Sequence, residues 1–276
     1  MKFEQFELER NQSLFENEVD FNLSESGVHP LKLSEILTEE EQKEILHTEL
    51  FYGYTNGTPE LRHRIADIYG NQFSKENVLI TSGSAEANFL SVMTQLDSGD
   101  EIIYMVPNYL QIFHLARSLG IMVKTLPLRH ELGWQWDPDE LKKLVSSKTK
   151  MIVVCNPNNP TGALMHDEIM DLVITIAEEN DCWILSDEVY RGAELKGEEC
   201  RSFAFSTKKT IVNSGLSKAY SLPGLRIGWT VGSKTYINRA WSFHDFTVIN
   251  VSYLSDWIAS KILESERRKK ILNRTK

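Results

Sequence analysis

Short apolar runs alternate with stretches of helical periodicity along most of this chain, from Val78 onward. The apolar runs have the length of buried strands and comprise residues 78–81, 101–105, 122–126, 151–155, 182–186 and 210–213. Between them, apolar side chains recur at helical spacing over residues 85–96, 111–119 and 166–179. Strands that alternate with helices predict an α/β fold of three layers, in which helices cover both faces of a mostly parallel sheet.

The two ends of the chain are patterned less clearly. A helix is expected within residues 33–49, and residues 1–22 show little periodicity. Over residues 251–276 one helical face carries the apolar side chains Leu254, Trp257, Ile258 and Ile262. A basic run follows at residues 267–270, and such a run is most often a solvated helix face rather than a nucleic-acid site.

The composition argues against several classes of function. With 41% hydrophobic and 25% charged residues the chain is typical of a globular protein, and its net charge of −9 argues against a nucleic-acid surface. The three cysteines and seven histidines lack the spacing of metal ligands, so no metal is expected. No apolar run approaches the length of a membrane-spanning helix, and the acidic N-terminus lacks a signal-peptide pattern, so a cytoplasmic protein is expected.

Lys218 stands in the segment with the most distinctive chemistry, residues 213–229. It follows a turn of small residues, and Arg226 comes eight positions later on an apolar run punctuated by glycine. A lysine amine can form a Schiff base with an aldehyde cofactor, and an arginine can hold a phosphate through paired hydrogen bonds. A Ser-Lys pair in a loop is by itself most often solvated surface, so the surrounding motifs decide between the two interpretations.

Four motif residues follow the ends of predicted strands. They are Gly83, Asn159, Asp187 and Lys218. Ligands of parallel α/β sheets bind at the carboxyl ends of the strands. The pattern therefore predicts that these residues converge on one site.

Five segments, taken in order, resemble the class I/II aminotransferases, the fold-type I family that uses pyridoxal 5'-phosphate (PLP). The segments are residues 82–88, 107–109, 159–162, 186–192 and 213–229. The resemblance extends from about residue 52 to the end of the chain, with a weaker echo at residues 22–27. It implies an enzyme that moves an amino group between an amino acid and a 2-oxo acid through a Schiff base of PLP with Lys218.

The resemblance also implies roles for the polar residues around the cofactor ring. Lys218 would hold the cofactor and afterwards move a proton, while Asp187 would pair with the ring nitrogen. Tyr190 and Asn159 would donate hydrogen bonds to the phenolic oxygen. Two ordinary structural roles compete with these, because Asp187 can cap a helix and Asn159 can serve as a turn residue before Pro160.

A second group of residues would hold the phosphate of the cofactor. It comprises Gly83, Ser84, Ala85, Ser217 and Arg226. Main-chain N–H groups at a helix N-terminus bind phosphate, and an ordinary helix cap is the competing interpretation of Ser84. The family often has a hydroxyl residue three positions before the lysine, where this chain has Gly215. One phosphate hydrogen bond is therefore expected to be missing, or to come from water or from Ser214.

Two tyrosine motifs complete the resemblance. Tyr109 matches the aromatic residue that stacks on the cofactor ring, with a core tyrosine as the competing interpretation. Tyr52 matches the tyrosine that reaches the phosphate bound by the neighbouring subunit, and Tyr54 in the same loop is the alternative. The resemblance thus implies a homodimer.

The resemblance is incomplete at the C-terminal end. Family members are usually longer than this chain, and the unmatched part carries the arginine that grips the α-carboxylate of the substrate. The expected domains are an N-terminal arm with a small-domain portion (1–45), a PLP-binding large domain (46–245) and the start of an incomplete small domain (246–276). Two alternatives stay open: other PLP chemistry such as β-replacement or cyclisation, since residues 54–62 are weakly similar to capreomycidine synthase, or a PLP-binding remnant without turnover.

Overall fold

The structure, a computed structural model, describes residues 3–276. Seven strands form one sheet, and in chain order they are β1 (Val78–Ser82), β2 (Glu101–Val106), β3 (Met122–Pro127), β4 (Thr149–Cys155), β5 (Trp183–Asp187), β6 (Thr210–Gly215) and β7 (Ile227–Val231). Their order across the sheet is β1-β7-β6-β5-β4-β2-β3; β7 is antiparallel to both neighbours and all other pairs are parallel. The predicted fold class is confirmed, and the six predicted strands correspond to β1 to β6.

Helices connect the strands and continue to both ends of the described chain. Within residues 3–276 they are α1 (Glu7–Phe15), α2 (Leu33–Ile36), α3 (Glu39–Leu46), α4 (Pro59–Tyr69), α5 (Gly83–Gln95), α6 (Gln111–Ser118), α7 (Pro138–Leu144), α8 (Asp167–Glu179), α9 (Lys234–His244), α10 (Tyr253–Ile262) and α11 (Ser265–Thr275). The predicted helices α5, α6 and α8 are confirmed, whereas α1, α7 and α9 had not been predicted. Residues 33–49 hold two helices instead of one, because Thr38 accepts the N–H of Glu41 and caps a new helix. No helix in this range combines the length and apolar character that crossing a bilayer requires.

The two faces of the sheet are buried in separate apolar clusters. Ile184 of β5 packs in the cluster that includes Val173 of α8, and the next residue, Leu185, packs in the cluster that includes Leu90 of α5. All four side chains are fully buried. Successive strand residues point to opposite faces, which is why a continuous apolar run predicted a strand covered on both sides. Burying each such side chain contributes about 2 kcal/mol.

Among the strands of this sheet, β7 is the one that the hydrophobic pattern did not predict. Its sequence contains Gly228, and a glycine within a short run weakens the strand signal. The structure shows why glycine is needed there, since a Cβ at position 228 would lie 2.3 Å from the main-chain carbon of Gly83. The absence of a side chain allows β7 to pass directly beneath the start of α5.

Ion pairs hold the last helix, α11, against α3 and the loop after β5. Arg268 of α11 makes two hydrogen bonds of 2.7 Å to Glu199. Arg267 binds Glu41 at 2.9 and 3.0 Å. The expectation that residues 267–270 form a solvated face is therefore wrong for the two arginines. The division into domains at residues 45 and 245 stays a prediction.

Asp256 of α10 fixes the start of α4. Its carboxylate accepts the main-chain N–H of Thr58 at 2.9 Å and also the hydroxyl of Thr58. Thr58 caps α4, and Pro59 occupies the first helical position, where a missing N–H costs nothing. Burial raises the pKa of Asp256, and the two bonds from Thr58 act against that shift.

The substitution Asp256→Ala should lower the free energy of unfolding by about 2–3 kcal/mol, because a buried N–H and a buried hydroxyl lose their acceptor. Chemical denaturation measures this change. The control Asp67→Ala, at an exposed position of α4, should change the same quantity by less than about 0.5 kcal/mol. Equal losses in the two variants would contradict the assigned role of Asp256.

Candidate active site

The register of the central strands brings three positions to one edge of the sheet. Cys155 of β4 pairs with Asp187 of β5, and Asp187 pairs with Asn213 of β6. The three strands are parallel, so their carboxyl ends meet at this edge, where ligands of such sheets bind. The loops that follow β4 and β6 carry Asn159 and Lys218.

Asp187 presents a buried carboxylate at this edge. Its Oδ1 accepts the N–H of Val189 at 3.2 Å, and its Oδ2 accepts the side-chain amide of Asn88 at 3.3 Å. Burial raises the pKa of Asp187, and these two donors only partly oppose the shift. Residues 189–192 form a turn and not a helix, so the competing role as a helix cap is wrong.

The buried carboxylate fits the ring nitrogen of PLP. Both donors to Asp187 are neutral, so within residues 3–276 its charge has no cationic partner. An unpaired buried charge is costly, and a protonated ring nitrogen would supply the missing positive charge. The ordinary structural interpretations of Asp187 offer no such compensation.

Arg226 lies against the N-terminus of α5. A Cβ on Gly83, whose φ is +75°, would lie 2.4 Å from its Nη2, so glycine is needed for the guanidinium to approach. Nη1 of Arg226 donates to the hydroxyl of Ser217 at 3.4 Å and to a main-chain carbonyl at 3.1 Å, neither of which is an anion. The first turn of α5 includes Ser84 and Ala85. A guanidinium beside a helix N-terminus fits a phosphate group.

Packing explains the glycine that precedes the lysine motif. A Cβ on Gly215 would lie 2.9 Å from the main-chain oxygen of Ile227, so a hydroxyl residue does not fit there without a shift of the strands. The hydroxyl of Ser214 donates to the main-chain oxygen of Glu188 at 3.1 Å, within the sheet. In this arrangement neither position offers the additional hydroxyl to a phosphate. The N-cap of α5 is Ser82, so the competing interpretation of Ser84 as an ordinary cap is wrong.

The amine of Lys218 contacts a carboxylate from the N-terminal segment. Its Nζ donates to Oε1 of Glu25 at 2.8 Å. Burial acts to raise the pKa of Glu25, but the hydrogen bond and charge of Lys218 outweigh it, so this pKa lies below its usual value. The side chain of Lys218 is only 27% exposed. It is therefore a partly buried amine at the sheet edge, and the interpretation of Lys218 as solvated surface is wrong.

Tyr190 and Asn159 line one cleft of about 530 Å³. The hydroxyl of Tyr190 lies 2.7 Å from that of Ser26, and burial raises the pKa of Tyr190 to about 12. The adjacent Asn158 makes the bonds that hold the turn, donating to the main-chain oxygen of Pro107 at 3.1 Å. Asn158 and Asn159 both line the cleft, and Asn159 lies in the turn before Pro160, so its turn role and its predicted role in the site coexist.

Tyr109 lies under the N-terminal helix. Its hydroxyl donates to Glu9 at 3.1 Å, and the ring of Phe6 packs edge-on at a centroid distance of 5.1 Å. Burial raises the pKa of Tyr109. Tyr109 is partly buried and not a core residue, which leaves its predicted role of stacking on a ring in place as a prediction.

Tyr52 and Tyr54 do not join the other predicted site residues within this chain. Their side chains are 74% and 59% exposed, respectively. Two other residues, which sequence reasoning had left without a role, do contact the site. Asn88 ends the motif at residues 82–88 and contacts Asp187, and Glu25 lies in the weakly matching residues 22–27 and contacts Lys218. Neither motif indicates these distant contacts.

Comparison with known proteins identifies the family. The family model described as "Aminotransferase class I and II" matches residues 19–275. This chain belongs to that family. Members of the family use pyridoxal phosphate, so the family and the cofactor predicted from the sequence are confirmed.

Curated relatives and solved structures agree with this assignment. The chain is 31% identical to an aspartate aminotransferase of Pyrococcus horikoshii over 85% of its length, and 30% identical to an aspartate/prephenate aminotransferase of Thermus thermophilus over 83%. It covers 62% of each of these relatives, so it spans about three fifths of their length. A PLP-dependent aminotransferase of Streptococcus suis has a TM-score of 0.92 at 31% identity, covering 99% of this chain and 74% of that one. A Thermus thermophilus aspartate aminotransferase double mutant has a TM-score of 0.84 at 26% identity, covering 91% of this chain and 67% of that one.

The substitution Asp187→Asn tests the buried charge. The folded chain holds the proton of Asp187 more tightly than the unfolded chain, because its folded-state pKa is raised. As pH rises from about 4 through the raised pKa of Asp187, the free energy of unfolding of the wild type should therefore fall relative to that of the variant.

Without PLP the Asn variant should be at least as stable as the wild type at neutral pH, yet PLP should stabilise it less. Thermal unfolding with and without PLP measures both effects. The exposed control Asp67→Asn should behave like the wild type. Equal stabilisation of wild type and Asp187→Asn by PLP would rule out the pairing of Asp187 with the cofactor.

Proposed function

We propose that this chain is a PLP-dependent aminotransferase that moves an amino group between an amino acid and a 2-oxo acid. One observation carries the proposal: three charged groups lie around the same edge of the sheet. They are a buried carboxylate and a guanidinium at a helix N-terminus, both without an oppositely charged partner within residues 3–276, and a lysine amine. The family match and the relatives named as aminotransferases support it.

The residues divide the work around the cofactor. When bound, PLP supplies an aldehyde that links to amines and a ring that withdraws electrons from the bonds of the linked amino acid. Lys218 would bind the aldehyde carbon and later use its Nζ to carry a proton at the substrate Cα. Asp187 would keep the ring nitrogen protonated, while Tyr190 and Asn159 would donate to the phenolic oxygen.

The phosphate would be held at the start of α5. The proposed phosphate-binding residues are Gly83, Ser84, Ala85, Ser217 and Arg226. Main-chain N–H groups at the helix N-terminus and the guanidinium both favour a dianion, and they orient the cofactor from the end opposite to Asp187. Tyr109 would pack on the ring and limit its movement.

A second copy of the chain would complete the site. Residues 50–54 and 246–249 expose large apolar side chains, including Leu50 at 79% and Phe246 at 88% exposure. The two segments are neighbours, because Asn250 donates to the main-chain oxygen of Tyr52. An exposed apolar patch of this kind is typical of a protein interface. We propose a homodimer in which Tyr52, or alternatively Tyr54, reaches the phosphate of the partner.

The predicted cytoplasmic location is part of the proposal. Cys155, Cys182 and Cys200 are all free thiols. Unpaired cysteines are usual in proteins of reducing compartments. This supports a cytoplasmic enzyme.

Reductive labelling tests the role of Lys218. Borohydride treatment of the chain with PLP should fix the cofactor on the peptide that contains Lys218, as read by mass spectrometry. The variant Lys218→Ala should lose this label, whereas the exposed control Lys208→Ala should keep it. Labelling spread over surface lysines would contradict the proposal.

The product of the first half-reaction then distinguishes the possible chemistries. A panel of amino acids should convert the cofactor of the wild-type chain to pyridoxamine phosphate, measured by chromatography of the released cofactor. A β-replacement or cyclisation enzyme would consume its amino acid without leaving pyridoxamine phosphate. A remnant would bind PLP at Lys218 and convert nothing, which would contradict the proposed transfer for this chain.

The substitution Phe246→Glu tests the proposed dimer. A charge in the apolar patch should raise the dissociation constant of the dimer at least about tenfold, because burying an unpaired carboxylate is unfavourable. Analytical ultracentrifugation measures this constant. The control Leu132→Glu, at a position 46% exposed outside the patch, should leave it unchanged. A wild-type chain that stays monomeric at high concentration would contradict the interface.

A further inference from the structure

A buried network of hydrogen bonds leads from the core to Asp187. Its members are Asn88, Asn213, Ser91, Tyr236 and Thr230, all at most 2% exposed. Asn213 donates to Asn88 at 2.9 Å and to Ser91 at 3.0 Å. Ser91 lies 2.9 Å from the hydroxyl of Tyr236, which lies 2.8 Å from Thr230. The network ends where Asn88 donates to Asp187.

The carboxylate fixes the orientation of the amides in this network. If the amide of Asn88 were reversed, its oxygen would face Oδ2 of Asp187, and two acceptors would repel each other. The oxygen of Asn88 must therefore point to Asn213, which presents its amide nitrogen. The side-chain oxygen of Asn213 is buried without a partner among residues 3–276, which is unfavourable. It follows from the orientation in which the amides of Asn213 and Asn88 donate toward Asp187.

The position of Asn88 couples the two ends of the proposed cofactor site. Asn88 lies one helical turn after Ser84 on α5, the helix whose N-terminus would hold the phosphate. One rigid helix thus carries both the main-chain donors for the phosphate and the side-chain donor to Asp187. Gln111 adds a second contact to the Asn88 amide at 3.3 Å and itself donates to the main-chain oxygen of Ala85 at 2.9 Å.

We propose that Asn88 is a positioning residue, which holds Asp187 ionised and aimed at the ring nitrogen of bound PLP. The inference rests on the proposed function and goes beyond it, because Asn88 acts through Asp187. A hydrogen bond donated to a carboxylate stabilises its charged form, which burial alone disfavours. Without that bond, Asp187 would keep its proton to a higher pH and pair less strongly with the cofactor.

A double-mutant cycle on the full chain tests the inference, with the dissociation constant of PLP as the readout. Asn88→Leu keeps the approximate volume and removes the donor. It should raise this constant about 10- to 100-fold, the value of one hydrogen bond to a charged group. In the Asp187→Asn background the same substitution should have little further effect, because the charge that it serves is already absent.

The pH dependence and a matched control distinguish positioning from general damage to the fold. In Asn88→Leu the affinity for PLP should start to fall at a higher pH than in the wild type as the solution is acidified, because Asp187 is protonated earlier. Asn77→Leu removes another buried amide, which donates to the main-chain oxygen of Gly232 at 3.0 Å, and should lower stability without changing the affinity for PLP.

The outcomes separate the inference from the proposed function. If the wild-type chain binds PLP at Lys218 but Asn88→Leu binds it equally well, the inference is wrong and the proposed function stands. If Asn88→Leu lowers the affinity for PLP by the same factor in the wild-type and Asp187→Asn backgrounds, the role of Asn88 is purely structural and the inference is also wrong. If the wild-type chain does not bind PLP at Lys218, the proposed function fails and the inference fails with it.

Discussion

The buried carboxylate of Asp187 is the constraint around which the site is organised. A carboxylate taken out of water without a cation destabilises the fold, and hydrogen bonds from Val189 and Asn88 compensate only in part. The strand register places Asp187 between Cys155 and Asn213, so its neighbours cannot supply a charge either. The unpaired charge therefore destabilises the chain without cofactor, and a cationic ring nitrogen would offset this destabilisation on binding.

Close main-chain approach is the second constraint, and it depends on three glycines. Gly83, Gly215 and Gly228 meet where the start of α5 lies over β6 and β7, and a Cβ at any of them would lie less than 3 Å from a neighbouring atom. Their contacts leave the main-chain N–H groups of α5 beside the guanidinium of Arg226. The same packing that would build the proposed anion site therefore removes the room for a hydroxyl residue at position 215.

Much of the fold could be predicted from the sequence because parallel strands buried on both faces are continuous apolar runs. β2, β4, β5 and β6 followed this rule, whereas β3 is a largely exposed edge strand and β1 pairs with the antiparallel β7. The site motifs fell at or after the ends of β1, β4, β5 and β6, as the topology requires. β7 was missed because Gly228 interrupts its apolar pattern, and the need for glycine there arises only from the contact with Gly83. Local pattern carries no information about such tertiary contacts.

The same limit applies to the site. Lys218 and Asp187 stand in distinctive motifs, whereas Glu25 contacts a lysine 193 residues away and Asn88 contacts an aspartate 99 residues away. Neither contact has a periodicity or a spacing that could be recognised along the chain. Arg267 and Arg268 illustrate the opposite error, because their neighbours in sequence predicted a solvated face while Glu41 and Glu199 bind them.

The most direct test of the central claim is the protonation of the cofactor ring inside the protein. Nitrogen NMR of the chain loaded with PLP labelled with ¹⁵N at the ring nitrogen measures it without any substrate. The account predicts a chemical shift typical of a protonated ring nitrogen at neutral pH, which reverts to the unprotonated value in Asp187→Asn. An unprotonated ring nitrogen in the wild-type chain would contradict the claim that the buried carboxylate exists to hold the cofactor.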